Sequence, residues 1–311
     1  MAGRSRGRAF AMRCAAAVIV TAVAAGCTAS AGTGPSRNPA SRSPGPARDL
    51  TDAEQVVVER AEGLLTRACM AARGFDYWVG PVASVDERRS AVYVLEDIAW
   101  AKRHGFGGRL ARAAERAGNP NFAYVNAFSR KDRVRYTRAL EGMPSDTVRV
   151  ELPRGGTVEG PARGCRAEAQ GELYGDYETW FRVSTITENL APLFLPDLMK
   201  DKRFVRALTS WSSCMREEGH DYRSPEQLRL ELARSTQGMG DGPAHAAEVE
   251  LATAEAACAG DDASGLAATA RALEREYRTK RLQPYADTIA THQRLRLAAL
   301  TRAESITGAT S

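Results

Sequence analysis

Apolar residues recur every three to four positions over much of the chain beyond residue 50, the spacing that lines one face of a helix. Val56, Val57, Ala61, Leu64 and Leu65 form such a stripe, and Thr51 with Glu54 supplies a capping box ahead of it. Ser84 with Glu87 predicts a second helix through Ala91, Leu95, Ile98 and Ala99, closed by Gly105. Ser224-Pro225-Glu226-Gln227 places a cap, a proline at the first helical position and a glutamine at the third. From Pro243 to Ile306 the pattern is helical with interruptions near Gly260 and Pro284, which predicts two or three long helices. One stretch differs. Thr147 to Glu159 alternates apolar and polar residues around Gly155-Gly156, the pattern of a β-hairpin.

The first 26 residues follow another logic. Arg4, Arg6, Arg8 and Arg13 make a basic start, and no acid precedes Asp49. The apolar run from Cys14 to Ala25 is only about a dozen residues long, against about 20 for a spanning helix. Residues 1–26 therefore read as a secretion signal. Ala24-Ala25-Gly26-Cys27 resembles the bacterial lipobox, although Ala24 stands where that motif usually has Leu, Val or Ile. The resemblance implies that Cys27 is lipidated, becomes the mature amino terminus and holds the chain to the extracytoplasmic face of a membrane. Residues 28–48 contain little besides Gly, Pro, Ser, Thr, Ala and Arg, so residues 27–48 read as a disordered tether.

This partition changes the meaning of the net charge of +5. Of 43 basic residues, four lie in the signal and three (Arg37, Arg42, Arg48) in the tether, leaving 36 against 38 acids. The folded part is close to neutral and shows no basic stripe in its sequence, which argues against nucleic acid as a partner.

Four cysteines remain beyond the signal and the anchor: Cys69, Cys165, Cys214 and Cys258. An even number in an exported chain reads as a disulfide framework, and four cysteines allow three pairings. An internal repeat favours one of them. Residues 69–77 read C-M-A-A-R-G-F-D-Y and residues 214–222 read C-M-R-E-E-G-H-D-Y, agreeing at five of nine positions. Cys165 and Cys258 each sit in an Ala/Glu-rich stretch with Leu173 or Leu266 eight residues on. A duplicated unit with one bridge per copy gives Cys69–Cys165 and Cys214–Cys258, over residues 49–200 and 201–311. The fold class expected is mainly α: a disulfide-braced helical domain of two related units, with a small β-hairpin inserted in the first. The asymmetry between the halves falls in an insertion from about Gly105 to Pro161.

In each copy the cysteine lies about a turn before a glycine, Gly74 or Gly219, suited to the left-handed position past a helix end. Tyr77 and Tyr222 should pack back over that cap. The alternative is that Asp76, Tyr77, His220, Asp221 and Tyr222 line a binding site. No close cysteine pair of the C-x-x-C kind exists, so neither a metal nor another cofactor is expected.

Catalytic signatures are absent from the sequence: no H-E-x-x-H, no G-x-S-x-G, no S-x-x-K and no phosphate-cradling loop. His104, His220, His245 and His292 are scattered. A pair of carboxylates such as Glu168 and Asp176 is the remaining route to hydrolysis.

Several segments carry a wider likeness: R-Y-T-R-A-L-E-G at 135–142, V-R-V-E-L-P-R-G-G at 148–156, G-C-R-A-E-A at 164–169, L-Y-G-D at 173–176 and W-S-S-C-M-R-E-E-G at 211–219. Through them the mature chain resembles a group of exported lipoproteins of high-GC bacteria. That resemblance implies location and fold and carries no activity. The expectation is a non-enzymatic envelope protein that binds a ligand or protein partner near the membrane. The alternatives are a carboxylate-dependent hydrolase of cell-wall or extracellular material, and an accessory subunit of a membrane complex.

Overall fold

Thr51 accepts the Glu54 amide at 3.3 Å while the Glu54 carboxylate accepts the Thr51 amide at 2.7 Å, and this reciprocal cap starts the first helix. The computed structural model describes residues 47–89, 93–260 and 265–309. The signal, Cys27 and the tether up to residue 46 lie outside the described residues. At the tether's far end, Arg48 is already held by a two-pronged pair with Glu54, at 2.6 and 2.7 Å.

The elements run α1 (Asp52–Ala72), α2 (Val85–Arg89), α3 (Ile98–His104), α4 (Gly108–Ala117), α5 (Pro120–Asn126), α6 (Arg130–Glu141), β1 (Thr147–Glu151) and β2 (Thr157–Pro161). They continue with α7 (Cys165–Tyr174), α8 (Tyr177–Glu188), α9 (Leu195–Lys200), α10 (Lys202–Glu217), α11 (Pro225–Ser235), α12 (Asp241–Cys258), α13 (Leu266–Arg281) and α14 (Ala286–Thr307). The fold is thus mainly helical with one small antiparallel hairpin, as the pattern predicts. Val150 faces Val158 across the hairpin, and Gly155 and Gly156 hold the turn at φ 89° and 92°. Between Pro243 and Ile306 the three helices α12, α13 and α14 appear, and Ser224 caps α11 by accepting the Gln227 amide.

The second expected helix is different. Ser84 and Glu87 do form their reciprocal cap, but α2 is short, and α3 starts afresh where Asp97 accepts the Trp100 amide at 2.8 Å. Ala91 lies outside the described residues. The physical reason for the break is distant in sequence. The Leu95 amide donates to the buried Glu255 carboxylate at 2.8 Å, so it is not spent on a helix.

Helix α1 is flanked along its length by α7 and α14, with α8 packed on both of those. Val58, Ala61, Leu173, Tyr174, Trp180, Ala299 and Leu300 fill that interface. On the other side of the chain α10 packs with α13 and α12, around Phe204, Trp211, Met215, Leu228, Leu266 and Leu273. Helix α3 lies on α12, although residue 200 separates them in sequence, and α14 returns to α1. Contacts thus cross residue 200 freely, and Pro44–Ser311 forms one compact unit that contains all the described core clusters. None of the described helices is long and apolar enough to cross a membrane.

Candidate functional site

The two cysteine signatures build the same local structure. In the first, Phe75 N–H donates to Met70 O at 3.0 Å and Gly74 N–H to Ala71 O at 3.0 Å. In the second, His220 N–H donates to Met215 O at 2.7 Å and Gly219 N–H to Arg216 O at 3.0 Å. Both are Schellman caps, with the glycine at φ 80° or 91° and the methionine fully buried beneath. Disulfides join Cys69 to Cys165 and Cys214 to Cys258, the pairing the repeat favours.

The second cysteines, by contrast, are not equivalent. Cys165 opens α7 and Leu173 lies in the same helix; Cys258 ends α12 and Leu266 opens α13. Their similar sequence context therefore reflects Ala/Glu-rich helices in general, not a shared position.

Tyr77 and Tyr222 each pack on the core cluster that contains their own disulfide. Asp76 is exposed, and its amide donates to the Tyr124 hydroxyl at 3.1 Å. Asp221 is exposed and pairs with Arg216 at 3.3 Å, while the His220 and Tyr222 rings stack 6.5 Å apart. The Asp-Tyr pairs thus belong to two separate caps on two different clusters. Glu168 pairs with Arg73, and Asp176 caps α8 by accepting the Thr179 amide at 2.8 Å. Cys69, Cys165 and Glu168 lie close together, but the sulfurs are bonded to each other and offer no thiolate to a metal.

A concavity that sequence reading did not identify lies beside the second disulfide. Ala207, Trp211 and Cys214 of α10, at i, i+4 and i+7, form one wall, and Leu266 and Leu273 of α13 form the other. The groove has a volume of about 740 Å³. Arg203, Arg206, Ser210 and Thr269 supply its polar rim, and among the described residues no carboxylate or imidazole lines it. Arg203 is fixed by Asp201 and Glu276, both at 2.8 Å, and its hydrogen bond holds the Glu276 carboxyl down at about 2. Arg206 is exposed and has no ion-pair partner among the described residues. The Trp211 indole N–H is buried without a hydrogen-bond partner. Such a lining can hold an apolar body and an anionic end.

The buried acids of α12 and the buried His292 sit elsewhere and brace the fold. Glu255, fully buried on α12, accepts from Leu95 N–H and from Arg229 at 2.7 Å; burial nonetheless pushes its carboxyl up to about 7. Glu248 on the same helix accepts the amides of Phe106 and Gly108, at 2.8 and 2.7 Å, and Gly108 leaves no Cβ to crowd it. His292 stacks on Trp180, which stacks on Tyr174 in turn, and burial draws the imidazole down to about 4. Helical spacing could have flagged Glu248 and Glu255, which fall at i and i+7 on the face that carries Ala252.

No protein-family model matches the chain, and neither curated proteins nor solved structures give a match.

Proposed function

We propose that this chain is a membrane-anchored extracytoplasmic lipoprotein that binds an anionic amphipathic molecule in the groove between α10 and α13. The anchor at Cys27 and the extracytoplasmic location are supported by the lipobox-like sequence, the basic apolar leader and the two disulfides, which persist in oxidising compartments. The observation that carries the binding reading is the groove lining: Trp211, Leu266 and Leu273, with Arg206 exposed at the rim and free of ion pairs among the described residues. Glu168 and Asp176 are already committed to an ion pair and a cap.

A thermal-shift screen of residues 44–311 tests this reading, because a ligand that binds only the folded state raises its stability. Monoacyl anions such as decanoate or dodecyl phosphate, below their micellar range, should stabilise the protein. Arg206→Glu should abolish the shift. A shift that survives both Arg206→Glu and Ser210→Trp would place the ligand elsewhere. Separately, Cys27→Ala should release the full chain from the membrane fraction in a high-salt wash, which strips electrostatic contacts, and retention through that wash would refute the anchor.

A further inference from the structure

We infer that the outward face of α6 is a contact surface for an anionic lipid bilayer, independent of acylation at Cys27 and of the groove. Tyr136, Ala139 and Leu140 are buried against the Cys69–Cys165 cluster, which sets the rotation of the helix. At 100° per residue the opposite face carries Arg130, Lys131, Val134 and Arg138, all exposed, with Arg135 on its flank and exposed Arg133 nearer the buried side. Of the two acids of α6, Asp132 is engaged by Ser129 and Arg135, and Glu141, at the end of this face, pairs with Arg166. No carboxylate of the described residues forms an ion pair with Arg130, Lys131 or Arg138. The near-neutral charge of the whole domain conceals this local stripe.

The chemistry points to lipid because the cations alternate with exposed apolar side chains. Val134 is 43% exposed in the middle of the stripe, and Met143, just past the helix, is 45% exposed. Val134, Gly142 and Pro144 line a shallow depression of about 340 Å³ together with Arg130, Arg133 and Arg138. Cations attract anionic headgroups, while apolar side chains enter the boundary beneath them. A soluble polyanion or nucleic acid would use the charges and leave Val134 and Met143 idle. The segment from Cys27 to Arg48 reaches at most about 70 Å when extended, so an anchored chain has length enough to lay α6 on the bilayer.

The test is co-sedimentation of residues 44–311 with phosphatidylcholine vesicles, with and without an equal part of phosphatidylglycerol. Binding is expected only to the anionic vesicles and should weaken with salt. Replacing Arg130, Lys131 and Arg138 together by alanine should reduce partitioning roughly a hundredfold. Val134→Ser with Met143→Ser should reduce it about tenfold. Arg234→Ala with Arg275→Ala, exposed arginines on other helices, should leave it unchanged, and all three variants should keep the parent melting temperature. Failure to bind anionic vesicles, or equal loss in the control pair, would overturn the inference. Tighter binding to heparin or duplex DNA at the same salt, with no effect of the Val134/Met143 pair, would assign the face to a soluble polyanion and overturn it as well.

Discussion

The two Schellman caps share a cysteine, a buried methionine, a left-handed glycine and a tyrosine, yet their surroundings differ. Around Cys69–Cys165, helices α5 and α6 bring Tyr124, Phe128, Tyr136 and Leu140 over the cap, with the Phe75 and Tyr136 rings edge to face at 5.4 Å. Beside Cys214–Cys258, along the face of α10 that carries Trp211, lies the groove, floored by Trp211 and Leu266. One cap is thus enclosed by aromatic side chains, and the other stands beside an open groove. A disulfide-capped helix end is a stable support on which either a closed core or a binding surface can be built.

The largest expected effects come from the disulfides. Cys69→Ala with Cys165→Ala opens a link spanning 96 residues, and Cys214→Ala with Cys258→Ala one spanning 44. Chain entropy alone puts these losses at about 4.7 and about 4 kcal/mol. Urea unfolding of both double variants should show the first as the less stable. The reverse order would mean that the groove-side cap carries more of the fold than its open surroundings suggest.

The next effect separates the two sides by pH. Glu255 has its carboxyl raised from 4.5 to about 7, so it stays protonated in the folded state while the unfolded chain ionises. Its contribution to stability is therefore full below pH 4.5 and falls as pH rises to 7, by about 3 kcal/mol. His292, lowered from 6.5 to about 4, acts in the opposite sense: stability falls as pH drops from 6.5 to 4. The two slopes offset each other between pH 4.5 and 6.5. Glu255→Gln should unmask a stability that rises with pH across that window, measured by denaturant titration at several pH values. A variant as flat as the parent would refute the raised carboxyl.

Smaller and equal effects are expected at the caps themselves. A Cβ at Gly74 or Gly219 meets no atom within 4 Å, so alanine at either costs only the left-handed backbone, about 1 kcal/mol. Unequal costs would break the equivalence of the caps. Smallest of all, Arg206→Ala should change stability by no more than about 0.5 kcal/mol, as suits an exposed and unpaired side chain.

What the sequence made legible was local. The Thr51/Glu54 and Ser84/Glu87 caps, the hairpin around Gly155-Gly156 and the three helices after Pro243 each depend on residues a few positions apart, and each forms. The C-M-x-x-x-G-x-D-Y repeat encodes the same Schellman cap twice and so marked Cys69 and Cys214 as equivalent, while their partners Cys165 and Cys258 sit at opposite ends of their helices. The break between α2 and α3 was hidden because its cause, the Glu255 carboxylate at Leu95 N–H, comes from 160 residues away. Glu248 and Glu255 read as solvent-facing acids on an Ala-rich helix until α3 is packed over them. The groove has no motif at all: it exists only once the stripe on α10 meets the start of α13. The basic face of α6 was averaged away in the charge of the domain.

The most direct test of the central claim follows the indole N–H signals of the four tryptophans by NMR during titration of residues 44–311 with dodecyl phosphate. Trp211 is the groove tryptophan, and its buried N–H has no hydrogen-bond partner to mask a change. The account predicts a saturable shift of the Trp211 signal, with Trp78, Trp100 and Trp180 unmoved. A titration that leaves Trp211 in place, or moves all four together, would contradict the groove as a binding site.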